Sequence, residues 1–176
     1  DNPQGILAVC KMPEEIQPEK LAEESGIIVA TDAIQDPGNM GTILRTAAWF
    51  GAKALIAGKG SVDVYHPKVV RSTAGATGSL PILTGDLEQY LKILEGSGWK
   101  ILLLDGGNEA ESLRSVQPKV KTVLVVGNEG NGISESILNS GRKKVKIEST
   151  GDQQNVESLN AAVATSIALY QLSCKN

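Results

Sequence analysis

"IIVATDAIQDPGNMGTILRTAAWFGAKALIAG", residues 27–58, reads as strand, turn, helix and second strand. The apolar runs at 27–32 and 54–58 have strand length, and the segment between them repeats its apolar positions at helical spacing over 39–50. Asp36-Pro37-Gly38 has turn chemistry, and Asn39 is placed to cap the helix that follows. A strand–helix–strand unit of this length belongs to an α/β fold with helices lying on a sheet. Arg45 is the only charged residue between Asn39 and Gly51. Alone it reads either as an ordinary surface arginine or as a cation held for a ligand near the strand ends.

The same alternation runs along the rest of the chain. Strands are expected at 5–10, 100–105, 122–127 and 144–147, with a short one at 80–85. Helices fit about 67–75, 86–96, about 133–140 and 157–172. Pro67 suits a first helical turn, and "GSG" at 96–98 ends a helix. "MPEEIQPEK" at 12–20 reads as a polar connector. Because the strands are nearly continuous apolar runs, the sheet is expected to be mostly parallel and covered on both faces.

Composition sets the outer limits. At 176 residues, 41% apolar and 21% charged, the chain has the size and balance of one globular domain. Its longest apolar runs are far too short to span a membrane, and no signal-peptide pattern is present. Cys10 and Cys174 lie near opposite ends without a CxxC or Cys/His cluster, so a reducing cytoplasm is expected, with no zinc site. The net charge of −3 neither announces nor excludes a nucleic-acid partner, since a local basic face decides that. The chain starts at Asp1 without an initiator methionine, which reads as a piece of a larger protein.

Two further segments resemble the first in having a loop that opens onto a helix. "VVGNEGNGIS", 125–134, puts glycines at 127, 130 and 132, where a strand's carboxyl end can bring backbone close to a ligand. Its spacing is not the dinucleotide fingerprint, and "GAKALIAGKG" is not a phosphate-binding P-loop. Glu129 reads as a turn carboxylate or as an acceptor for a hydroxyl-bearing ligand. "NVESLNAAVATSIALY", 155–170, leads into a helix of small residues suited to close packing against another element or subunit. Ser158 and Asn160 stand at its start, as a plain N-cap or as neutral hydrogen-bonding groups for a ligand.

Taken in order, these segments resemble the SpoU/TrmH family of RNA 2′-O-ribose methyltransferases, within the SPOUT superfamily. Asn39, Gly41, Arg45, Ala47, Phe50 and Gly51 fill its first motif; "HPKVVRSTAGA" is similar to its intervening stretch, with His66 where asparagine is common. "VVGNEGNGIS" matches the second motif, and "ESLNAAVATSIALY" the third. The resemblance covers roughly residues 5–172. It departs at "ESTGDQQN", 148–155, which lacks the family's proline and is longer than usual in a part of the cofactor-binding rim.

The resemblance implies a parallel α/β sheet with a C-terminal trefoil knot, S-adenosyl-L-methionine as cofactor, no metal, and a homodimer acting on rRNA or tRNA. It divides the chain into a leading strand and connector at 1–24 and a methyltransferase domain at 25–176; a separate N-terminal RNA-binding domain, common in relatives, is expected to lie outside this chain. It assigns catalysis to Arg45, Asn39, Glu129, Ser158 and Asn160, and the cofactor to Gly127, Asn128, Glu129, Gly130, Ile147, Ser158, Leu159 and Asn160. Arg45, Lys59, Lys68 and Arg71 are expected to meet RNA, with "RKKVK" at 142–146 as a second cationic candidate. A guanidinium is always protonated in proteins, so Arg45 suits a cation that stabilises an alkoxide better than a base. Two alternatives stay open from the residues: a base-modifying SPOUT enzyme, and a non-catalytic RNA-binding homologue.

Overall fold

Seven strands form one sheet in the computed structural model, which describes residues 5, 8–14, 16–117, 120–151 and 158–173. They are β1 (Gly26–Asp32), β2 (Ala54–Gly58), β3 (Ile82–Gly85), β4 (Lys100–Leu104), β5 (Glu111–Ser112), β6 (Lys121–Gly127) and β7 (Lys143–Lys146). The order across the sheet is β3-β2-β1-β6-β4-β7-β5, and every pairing between these strands is parallel. Parallel strands buried on both faces need no polar alternation, which is why β1, β2 and β6 read as unbroken apolar runs.

Each face has its own core. Val29, Leu55, Leu124 and Val126 point to the side covered by α2 (Pro37–Trp49), α3 (Pro67–Ser72) and α6 (Ala161–Ser173). Ile28, Ile56, Val123 and Val125 point to the side covered by α1 (Pro18–Glu23), α4 (Leu87–Gly96) and α5 (Glu135–Leu138). The chain therefore leaves β1 toward one face and β6, its neighbour, toward the other. A crevice between the carboxyl ends of β1 and β6 follows, and open α/β sheets bind their ligands at such a switch.

Two expectations about the leader are corrected. Ala8–Cys10 form no strand and are exposed, while Ile6 and Leu7 of the expected strand at 5–10 lie outside the described residues. The end of the supposed connector at 12–20 starts α1, which buries Leu21 and Ala22. Trp99 Nε1 and Lys121 Nζ both donate to the Ala22 carbonyl, at 3.2 and 2.8 Å, fixing the end of α1 to the sheet's amino-terminal edge. Helix α5 is shorter than expected, and α6 starts at Ala161; residue 157, the expected start, lies outside the described residues.

Helices α2 and α6 lie side by side and run parallel. Thr46 and Ser166 hydroxyls are 3.3 Å apart, and the Phe50 and Tyr170 rings meet edge to face at 6.3 Å, the same offset a turn later. Helix α3 approaches the other flank of α2 at Gly41. A Cβ there would run into Ser72 Oγ and lie 2.8 Å from the Val69 carbonyl oxygen. Gly41→Ala is accordingly expected to destabilise the fold by about 1–3 kcal/mol, the range for overpacking, in urea denaturation followed by circular dichroism.

Candidate active site

The site is built from α2 outward. Asp36 caps this helix, its Oδ1 accepting from Asn39 N at 2.7 Å, and Pro37 forms the first turn. Asn39 is thus not the cap that its sequence position suggested. The reason is the proline: it needs no partner for a missing N–H and presets φ for the helix, so the residue before it becomes the cap. Asn39 is thereby placed inside the first turn with its carboxamide free.

That carboxamide joins two distant parts of the chain. Its Nδ2 donates to Glu129 Oε1 at 2.9 Å, and its Oδ1 accepts from Asn160 Nδ2 at 2.9 Å. Asn160 Oδ1 in turn accepts from Ala162 N and Val163 N, at 2.9 and 3.2 Å, and so caps α6. Glu129 also accepts from the backbone N–H groups of Asp36 at 3.2 Å and Gln35 at 3.4 Å. The three motifs are therefore held by one line of hydrogen bonds, carboxylate to amide to amide to helix N-terminus. Only a side chain with a donor and an acceptor can stand in the middle of that line, which accounts for asparagine at 39 and at 160. Burial by itself would raise the Glu129 carboxyl, but the bonds from Asn39 and from backbone N–H groups outweigh it and hold its pKa below the ordinary glutamate value.

Glycine 127 marks where β6 ends. A Cβ there would enter the Gly132 carbonyl carbon and the Ile133 nitrogen, because the chain doubles back through an antiparallel bridge between Asn128 and Gly132. The Asn128 amide faces inward: Nδ2 donates to the Ala33 carbonyl at 2.7 Å, and Oδ1 accepts from Gly130 N at 2.9 Å and Asn131 N at 3.0 Å. Asp32, at the end of β1 beside Gly127, accepts from Ser134 N at 2.7 Å. Sequence reasoning missed Asp32 and the Gln35 and Asp36 amides; the available signal for Asp32 was a carboxylate closing an otherwise apolar strand.

The remaining named residues are not joined to this line by any hydrogen bond between described residues. Arg45 is exposed, about 9 Å farther along the α2 axis than Asn39, with no side-chain partner among the described residues. Ser158 is exposed and Leu159 is 48% exposed just ahead of α6, while Ile147 is half-buried beyond β7. Gly130 is exposed at the tip of the 128–132 loop. Residues 152–155 of the divergent stretch, and Glu157 of the third motif, lie outside the described residues. A cleft of about 600 Å³ lies at the other end of the sheet, between Trp99, Lys100, Gln117 and Arg142, and holds none of these residues.

The cations separate into two kinds. Lys68 and Arg71 are exposed on α3, without carboxylate partners among the described residues. Lys59 instead pairs with Asp86 at 3.2 Å; the Gln89 N–H first, and Lys59 second, hold the Asp86 carboxyl below its usual range. The "RKKVK" run is largely neutralised. The Arg142 side chain is 5% exposed and pairs with Glu88 at 2.7 Å and Glu95 at 2.8 Å, tying α4 to the start of β7, while Lys143 meets Glu111 and Lys144 meets Glu109. It is a structural clamp rather than a free basic patch.

The residues at the carboxyl end fit an adenosine-bearing cofactor in kind. Leu104, Ile147 and Leu159 offer apolar edges to a purine, and the glycine-bearing turn at 127–132 offers backbone without side chains in the way. Among the described residues no group of three or more His, Cys, Asp or Glu could hold a metal ion. No helix is long and apolar enough to cross a membrane.

Comparison with known proteins finds the same fold and a shared family. The model of the SpoU rRNA Methylase family matches residues 26–170. A Bacillus subtilis protein named 23S rRNA (guanosine(2553)-2′-O)-methyltransferase RlmP is 36% identical over 172 residues, 98% of this chain and 66% of that protein. The AdoMet-bound rRNA methyltransferase of Sinorhizobium meliloti superposes with a TM-score of 0.82 at 27% identity, over 90% of this chain and 60% of that one. The SpoU methyltransferase AviRb of Streptomyces viridochromogenes, in complex with AdoMet, gives a TM-score of 0.80 at 28% identity, covering 93% and 65%. The chain thus spans about three fifths to two thirds of each of these relatives.

The lowered Glu129 pKa has a sign that can be measured. A carboxylate depressed by folding adds stability above its unfolded value, near 4.5, and loses it as pH falls through the folded value. Glu129→Gln, which turns a donor toward the Gln35 and Asp36 amides, is expected to melt below wild type at about pH 7. The gap should close as melts are repeated down to about pH 3.

Proposed function

Because the chain belongs to the SpoU rRNA Methylase family, we propose that it carries the catalytic part of an RNA 2′-O-ribose methyltransferase, using S-adenosyl-L-methionine on rRNA or tRNA. The observation that supports this most is the Glu129–Asn39–Asn160 line at the β1/β6 switch, with Asn39 on a helix whose one arginine has no side-chain partner among the described residues. S-adenosyl-L-methionine, when bound, supplies an electrophilic methyl on its sulfonium, so the reaction requires no metal. The protein has to align the acceptor, shield it from water and stabilise the oxygen that loses its proton.

Arg45 performs the last task in this reading. Its guanidinium stabilises the developing 2′-alkoxide, whose proton passes to solvent as the methyl is transferred, and grips the adjacent phosphate through charge-assisted bonds. Asn39, fixed from both sides, sets the start of α2 and with it the direction from which Arg45 reaches the ribose. Gly127, Glu129, Gly130, Ile147 and the backbone of Asn128 border the cofactor on one side, and Ser158, Leu159 and Asn160 on the other. Lys68 and Arg71 extend the cationic track along α3 toward RNA phosphates; Lys59 contributes after releasing Asp86.

The same reading includes a C-terminal trefoil knot, a cytoplasmic location and a homodimer. For the dimer, the support is an apolar face: Val163, Ile167 and Tyr170 on α6 are 48%, 41% and 60% exposed, and Trp49 on α2 is 84% exposed. Exposed apolar side chains on neighbouring parallel helices suit an interface between copies. Light scattering at micromolar concentration is expected to give a dimer mass, and Ile167→Glu a monomer mass.

Methyl transfer is tested directly with labelled cofactor and RNA. The product is expected to carry one alkali-resistant linkage, because a methylated 2′-oxygen cannot attack the neighbouring phosphodiester. Arg45→Ala should lower the saturated rate about a hundredfold or more while cofactor affinity, by calorimetry, stays close to wild type. A methylated base in the nuclease digest would point instead to the base-modifying alternative. Absence of saturable cofactor heat would point to a non-catalytic homologue.

A further inference from the structure

The turn that leads from β1 to the site is strained. Ala33 has φ of +55°, a left-handed conformation that favours glycine. Two and three residues later come Gln35 and Asp36, whose backbone N–H groups point at the Glu129 carboxylate. A residue in this conformation persists only where its surroundings hold it. Here the hold comes from Asn128, whose Nδ2 donates to the Ala33 carbonyl at 2.7 Å. One residue earlier, Asp32 receives Ser134 N at 2.7 Å, so both ends of the 128–134 segment are tied to consecutive residues at the end of β1.

Asn128 is fixed in that role by its other end. Its Oδ1 accepts from Gly130 N and Asn131 N, and its backbone exchanges two hydrogen bonds with Gly132, each 2.9 Å. The carboxamide is thus clamped in one orientation, acceptor into its own loop and donor toward the Ala33 carbonyl, with a second, longer bond from Nδ2 to Glu129 Oε2 at 3.4 Å. We infer that Asn128 is a positioning residue: its carboxamide holds the strained Ala33 turn and thereby sets the Gln35 and Asp36 amides, Glu129 and Asn39 in line for catalysis. The inference rests on the methyltransferase reading for its kinetic consequence, but its structural part stands without it. It differs from a direct contact between the Asn128 side chain and cofactor, which would act on affinity rather than on rate.

Three variants separate these roles: Asn128→Ser, Ala33→Gly and the two together. Serine keeps an acceptor for the Gly130 N–H but is too short to reach the Ala33 carbonyl, so the loop is retained and the clasp is lost. Glycine at 33 adopts the left-handed turn without being held. Asn128→Ser is expected to lower the single-turnover methylation rate about tenfold at saturating cofactor, with cofactor affinity within about threefold of wild type. Adding Ala33→Gly should restore at least about threefold of that loss, a coupling a merely loop-shaping residue would not show. Hydrogen exchange provides the readout that needs no activity: Gln35 and Asp36 amides should lose protection in Asn128→Ser and regain it in the double variant. Loss of cofactor affinity with an intact saturated rate would overturn the inference, as would an absence of recovery by Ala33→Gly. If wild type methylates no RNA, the function is wrong, and the exchange result alone then upholds or overturns the clasp.

Discussion

A carboxylate that accepts from a carboxamide, which accepts from a second carboxamide, is the interaction on which the rest of the site depends. Glu129 leaves β6, Asn39 begins α2 and Asn160 begins α6, and no two of them are near in sequence. Each bond in the line fixes the orientation of the next amide, ending on the N–H groups at the start of α6. Because Glu129 is ionised, its bonds are charge-assisted, and an exposed carboxylate remains the organising group of the crevice. Loss of Asn39 or Asn160 would cut the side-chain link between the starts of α2 and α6.

Close backbone approach makes that line possible. At Gly41 the start of α2 touches α3, and at Gly127 the chain turns back on itself within van der Waals distance of Gly132 and Ile133. Neither place has room for a Cβ. The small residues of α6 act in the same way on a larger scale, bringing it alongside α2 in parallel so that residues 39 and 160, then 46 and 166, then 50 and 170 meet in step. The apolar side chains that α6 does not need for this packing, Val163, Ile167 and Tyr170, are left facing outward.

Charge is distributed so that the two ends of the sheet do different things. Arg142 and its lysine neighbours are neutralised by glutamates on α4 and around β5, and they hold the edge of the sheet together. A buried arginine with two carboxylate partners is destabilising if one partner is removed, which makes it structural. Lys68, Arg71 and Arg45 are solvent-facing cations on α3 and α2 instead. Net charge of the whole chain, slightly acidic, says nothing about this separation.

The sequence by itself determined the α/β class, six strand positions and the helices that follow them, because apolar periodicity and strand length survive without knowledge of partners. It also marked Asn39 and Glu129, which stand at junctions with glycine or proline beside them, and Asn160, which stands where a polar loop opens onto a helix of small residues. It failed at the leader, where a short apolar run at 5–10 resembled a strand although Ala8–Cys10 form none, and where α1 was hidden in a polar stretch. It also failed at "RKKVK", because a run of cations looks free until its carboxylates, more than thirty residues away, are brought beside it. Strand order, the cap at Asp36 rather than Asn39, and the strained turn at Ala33 were decided only by tertiary structure. These depend on which distant groups meet, and pairing across 90 or 121 residues leaves no trace in local propensity.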